Sequence, residues 1–178
     1  MPHRSLFVLI VAAVASVNVL TGAAKGQTPA PPPLTYERVI ITTWKNLHDK
    51  ILQMAKDTMF PDGKLEWRPH PDARSVLEEF RQVTNGLEWS SAQLRGEKLD
   101  DPTVRARRNA DAGKPKTRAS IVSEMEAAIA ASYPLVEKSP TPLLIGWIRD
   151  QAEHYGKLVT SYRALGIVPP VSRTPAPR

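Results

Sequence analysis

From Thr35 onward, apolar side chains return at steps of three and four. Tyr36, Val39, Ile40, Thr43, Trp44, Leu47, Ile51, Met54 and Ala55 trace one face of a helix that Thr35 can cap, ending near Asp57 ahead of Pro61-Asp62-Gly63. Leu65 to Pro71 is a proline-locked connector. Asp72 then reads as the N-cap of a second helix to about Leu94, with Val76, Phe80, Val83, Leu87 and Leu94 inward and Gly96 beyond its end. Lys98 to Lys116 has no apolar period and reads as a long, basic, solvated loop. Thr117 can cap a third helix carrying Ile121, Val122, Met125, Ala128, Ile129 and Ser132 on its buried stripe, with Pro134 kinking or ending it. A fourth starts at Thr141-Pro142. Its face holds Leu143, Leu144, Trp147, Ile148, Gln151, His154, Tyr155, Leu158, Val159, Tyr162 and Leu165 before Gly166 stops it. No stretch alternates with period two for long enough to build a sheet. The pattern therefore predicts an all-α four-helix bundle with a long loop between helices two and three, in which a topology other than up-down-up-down is open.

The N-terminus changes the picture of where this bundle works. Met1 to Arg4 are basic, Leu6 to Leu20 are almost continuously apolar, and small residues follow, the pattern of a secretory signal cleaved near Gly26. The run is shorter than the roughly 18 to 20 residues that a spanning helix needs, so no stable membrane insertion is expected after cleavage. The predicted organisation is a signal over residues 1–26, a proline-rich linker over 27–34, the bundle over 35–170 and a flexible tail over 171–178, in a protein exported to the periplasm or the medium. Net charge is +6 and falls to +4 once Arg4 and Lys25 leave with the signal. That excess favours solubility, and the basic 105–118 stretch lacks the interleaved aromatics that stack on bases, so nucleic acid is not an expected partner. The chain has no cysteine, which excludes disulfides, thiolate metal sites and a cysteine nucleophile.

Chemistry then rests on a few residues. There is no Gly-rich phosphate loop, nucleophile elbow or HExxH motif. His3 belongs to the signal, His48 follows a core position and is expected to face water, and His70 sits in a loop between prolines. His154 lies on the apolar stripe of helix four, four residues after Asp150, so the two occupy neighbouring turns of one face. Such a pair can hold a divalent ion, can set the ring up for proton transfer, or can simply be a semi-buried histidine satisfied by its carboxylate. Trp44, Trp67, Trp89 and Trp147 read as core or pocket wall.

The stretch from Glu153-His154-Tyr155-Gly156 through Ile167-Val168-Pro169-Pro170 resembles the closing segment of DinB-like proteins. Trp44 with Met54-Ala55 resembles the family's opening helix, and Arg68 to Ser75 through Leu94-Arg95-Gly96-Glu97 resembles its second-helix region. The resemblance covers residues 40 to 170 and is weakest between 98 and 140. It implies a metal-binding four-helix bundle whose usual ligands are three histidines, one from helix two and two from helix four. Some members are thiol-dependent transferases or isomerases. Laid on that pattern, the ligand positions fall at Gln82, Asp150 and His154, so one histidine of three is kept. The resemblance thus implies a degenerate site for zinc, nickel or a harder ion, weakly held or lost, because an amide oxygen binds late first-row ions less well than imidazole. Export itself argues against the thiol-transferase analogy, since low-molecular-weight thiols are mainly cytosolic reductants. Two other readings stand beside it: a bundle that binds a small ligand without metal, and a partner-binding protein that displays the basic 105–118 loop.

Overall fold

In a computed structural model, residues 33–98, 102 and 117–173 are described, and the fold is that of the unit beginning at Leu34. Residues 1–32, which hold the expected signal and most of the expected linker over 27–34, and nearly all of the basic loop lie outside the described residues. Among those described there is no strand, and four long helices form an all-α bundle: α1 (Tyr36–Ala55), α2 (Val76–Leu94), α3 (Arg118–Lys138) and α4 (Leu143–Ala164). None of these helices is long and apolar enough to cross a membrane.

Side-chain caps fix the starts of α1, α2 and α3, whereas α4 begins after Pro142 with no side-chain cap bond and the Thr141 hydroxyl expected to cap it is buried without a partner. Thr35 Oγ1 accepts from the Arg38 amide at 3.3 Å, and Thr117 Oγ1 accepts from the Ser120 amide at 3.2 Å, as their positions in the sequence suggest. The cap of α2 is Ser75, not Asp72. Ser75 Oγ accepts from the Glu78 amide at 3.2 Å while the Glu78 carboxylate accepts from the Ser75 amide at 2.8 Å, a reciprocal capping box that Asp72 cannot match. Glu78 is held in that role by a double bond-pair from Arg68, at 2.7 and 2.8 Å. Pro134 does not end α3; the helix runs on to Lys138 and buries Val136 two residues later.

The buried stripe of α1 is Ile40, Trp44, His48, Ile51, Met54 and Ala55. Tyr36 and Val39 are instead exposed at this end, 45% each, and Thr43 is exposed. His48 is fully buried, contrary to the expectation that it faces water. It lies four residues after Trp44 and three before Ile51, which places it on the core stripe, whereas Leu47 falls at the stripe's edge. The core closes with polar atoms of aromatic residues paired off: Trp44 Nε1 donates to Ser132 Oγ at 3.2 Å, and Tyr162 Oη donates to the Met54 carbonyl at 2.7 Å. Tyr162 also packs its ring on Phe60, with centroids 4.6 Å apart.

Helices α1 and α2 each pack against both α3 and α4, which leaves α1 opposite α2 and α3 opposite α4. Tyr133 of α3 meets Asp49 and Lys45, while Arg118 at the start of α3 reaches Ala55, so α3 runs antiparallel to α1. Glu79 meets His154 and Gln93 meets Trp147, so α2 is antiparallel to α4. Tyr162 meets Met54 near the C-terminal ends of α4 and α1, which makes those two parallel. The topology is thus up-down-down-up. The end of α2 and the start of α3 lie at opposite ends of the bundle, about 30 Å apart for helices of this length, which explains why no short turn joins them.

Two arginines lock the end of α1. Arg118 donates to the carbonyls of Ala55 and Phe60 and to Asp62, satisfying carbonyls that the helix end leaves open. Although it belongs to the basic 105–118 stretch, Arg118 is therefore engaged within the fold. Arg173 grips Asp57 with two bonds, at 2.9 and 2.5 Å, so the segment 171–173, assigned to the tail on sequence, is anchored to the bundle.

Candidate functional site

The antiparallel pair α2 and α4 leaves a groove with two compartments. One, of about 630 Å³, is lined by Gln82, Asn85, Trp89, Trp147, Asp150 and His154 among others. The second, of about 810 Å³, is lined by Pro69, Glu79, Gly156, Thr160 and Ser161. Arg74, Glu153 and Lys157 line both.

The three residues singled out from the sequence thus share one compartment, Gln82 from α2 and the other two from α4. His154 and Asp150 are adjacent: Nε2 of the ring lies 3.8 Å from Oδ2 of the carboxylate, which is beyond hydrogen-bond range. The side chain of His154 is only 8% exposed, whereas that of Asp150 is 51% exposed. Asp150 is accordingly a rim group and does not hold the ring.

Glu79 holds it. Its Oε2 lies 2.6 Å from His154 Nδ1, and both side chains are buried. The sequence reading missed Glu79, although a signal was present: it stands three residues after Val76 and four before Val83, so it falls on the inward stripe of α2. A carboxylate there needs a buried partner, and His154 is the one the fold supplies. The bond occupies Nδ1 and leaves Nε2 toward the compartment that His154 lines. This is the arrangement that fixes an imidazole's tautomer and orientation in both metal sites and acid–base sites.

Trp147, placed mid-stripe by its spacing, is half-buried and forms wall: its Nε1 donates to Gln93 Oε1 at 2.8 Å. Gln151, one turn further on, is fully buried, and neither atom of its amide has a hydrogen-bond partner in the protein. Glu153 lines both compartments of the groove.

Among the described residues, no three His, Asp or Glu side chains converge as a metal site does. The His154 imidazole and the exposed Asp150 carboxylate approach each other, and the Gln82 amide lines the same compartment. Two donors 3.8 Å apart are within the roughly 4 Å that a shared first-row ion, bonded at about 2.0 to 2.2 Å, can bridge. The set fits an exchangeable ion and does not fit a tightly held one. His70 is solvated, 69% exposed. His48 donates from Nδ1 to the Trp44 carbonyl at 2.8 Å, and burial drives its pKa down to about 4, so it is a neutral core residue.

No protein-family model matches this chain, and no curated protein matches it significantly.

Proposed function

We propose that this chain is an exported, DinB-like bundle that receives a small molecule in the groove between α2 and α4, with His154 as the central functional group. The observation that carries this reading is the buried Glu79–His154 bond, which leaves Nε2 facing a polar cavity. A buried carboxylate–histidine pair is costly to desolvate, and a packing role is met more cheaply by an apolar side chain. A buried polar pair beside a cavity of this size is the kind of convergent polar grouping that binding sites use.

The ligand positions implied by the resemblance, Gln82, Asp150 and His154, would hold a divalent ion weakly, with Glu79 as the outer carboxylate that orients the ring. Such an ion, when bound, supplies Lewis-acid polarisation of a ligand oxygen. The chain's own contribution is to hold the ring so that Nε2 is aimed at the cavity, where it can bind an ion or exchange a proton with a molecule there.

Isothermal titration of the purified protein with zinc and with nickel tests this. Binding at micromolar dissociation constants or weaker, abolished in His154→Ala, is the expected result. Heat unchanged by His154→Ala would remove His154 from the site, and a stoichiometric ion surviving dialysis against chelator would show a far stronger donor set than these residues offer. Export is tested separately: secreted material should begin between Ala24 and Gln27 by intact mass, and a full-length soluble cytosolic chain would refute it.

A further inference from the structure

The groove continues beyond His154, and its second compartment carries two cations with no close ion-pair partner, although the charge of Arg74 acts at longer range on Glu78. Arg74 and Lys157 border both compartments, and neither makes an ion pair among the described residues. Of the acids beside them, Glu79 is taken by His154, and Asp72 stands at the rim, 91% exposed, with its carboxylate 3.5 Å from His70 Nδ1. Glu153 is the remaining acid of the second compartment, where it faces both cations, and Asp150 stands at the rim of the first, 51% exposed.

The wall of the groove is also kept open by its glycines. Gly86, Gly146 and Gly156 are the helix-interior glycines among the described residues, and all three line it. Glycine is the poorest helix former after proline, so each position needs a reason. Gly86 has one inside the protein, because a Cβ there would lie 1.8 Å from Gln151 Nε2. Gly146 and Gly156 have none, since a Cβ at either would meet nothing within 4 Å and neither has a positive φ. What they preserve is space beside a histidine whose side chain is 8% exposed and whose Nε2 makes no hydrogen bond.

We propose that the groove binds an elongated organic anion, its charged group held between Arg74 and Lys157 at the junction of the compartments and its body lying over Gly156 and Thr160. The inference rests on the groove being a ligand site and adds the chemical class of the ligand. A guanidinium and an ammonium on facing elements select a carboxylate, sulfonate or phosphate by charge-assisted hydrogen bonds, and Glu153 favours a neighbouring donor on the same molecule. The 810 Å³ compartment is large enough for a body of small-molecule size.

The test compares two probes that differ only in charge, 8-anilinonaphthalene-1-sulfonate and uncharged N-phenyl-1-naphthylamine, titrated by fluorescence against the full chain. The sulfonate is expected to bind at least tenfold tighter, and Arg74→Ala with Lys157→Ala should bring the two probes level. Gly156→Leu should weaken the sulfonate at least tenfold without lowering Tm, because leucine suits a helix and the space is open. Arg74→Ala with Lys157→Ala should abolish the sulfonate preference while leaving the heat of zinc binding unchanged, so the anion site and the metal reading fail separately. Absence of sulfonate binding, equal binding of both probes, a preference that survives the double substitution, or a Gly156→Leu protein that binds like wild type would each overturn the proposal.

Discussion

Glu79 and His154 meet across the α2–α4 interface with 2.6 Å between Oε2 and Nδ1, each buried by the helix that carries the other. Removing one partner of such a pair leaves the second desolvated and unbonded, which costs about 3 kcal/mol or more. Glu79→Ala should therefore destabilise the fold by about that amount. Glu79→Gln keeps an oxygen acceptor for Nδ1–H and should cost about 1 kcal/mol. Urea denaturation of the two variants checks this, and equal losses would mean that a neutral amide oxygen cannot replace the carboxylate as the partner of Nδ1.

His48 makes acid stability a readable property of the core. Its pKa is lowered from 6.5 to about 4, by burial first, against the opposing effects of its bond to the Trp44 carbonyl and the charge of Asp49. Between those two values the unfolded chain binds a proton that the folded chain refuses, so stability is intact above about pH 6.5 and declines as pH falls toward 4. The decline attributable to this residue is about 3 kcal/mol. His48→Leu should remove that part of the slope. Denaturation midpoints across this interval, taken as the difference between wild type and variant, measure it; superimposable slopes would place His48 outside the sealed core.

Much of this molecule was legible because its helices obey a 3.6-residue period. The stripes from Ile51 to Ala55, Val76 to Leu87 and Leu144 to Tyr162 turned out buried at most of the positions the spacing marked. What failed were judgements made one residue at a time. His48 was assigned to solvent from its neighbour Leu47 when its distances to Trp44 and Ile51 put it inside, and Glu79 was passed over because a charged residue does not advertise a core position. The Ser75-x-x-Glu78 box was present in the sequence, yet Asp72 is an equally good cap type and only packing decides between them. Topology was less accessible still. That α2 and α3 run parallel depends on which helix ends meet in three dimensions, and the apolar period is the same for either direction.

The tryptophans divide by burial. Trp44 is fully buried and bonded to Ser132, so Trp44→Ala should cost about 3 to 5 kcal/mol through lost contacts and the cavity left behind. Trp147, half-buried in the groove wall, should cost only about 1 to 2 kcal/mol when truncated, chiefly the packing of one ring face and its bond to Gln93. The same denaturation assay ranks them, and a reversed order would contradict the packing of α1 against α3.

Gln151 offers a stabilising change. Its amide is buried against Gly86, and neither its nitrogen nor its oxygen has a protein partner. Gln151→Met keeps the length and removes both polar atoms, so a gain of about 1 kcal/mol is expected. A fall in Tm would show that the amide is bonded in solution.

The degenerate ligand set can be rebuilt as a test of its placement. Gln82, Asp150 and His154 line one compartment, and Glu79 already orients the one imidazole there. Gln82→His with Asp150→His would supply three imidazoles, a donor set suited to zinc or nickel with open positions. Wild type should show little metal-dependent stabilisation, whereas the double variant at a free ion concentration 100 times its dissociation constant should gain about 2.7 kcal/mol. His154→Ala in the same background should erase the gain, since two remaining ligands make a poor chelate, and Glu79→Gln should weaken it by loosening the ring. Thermal melts with and without zinc read all four proteins. If the double variant binds no better than wild type, the side chains at 82 and 150 do not reach the Nε2 of His154, and the ligand positions implied by the DinB-like resemblance do not apply to this chain.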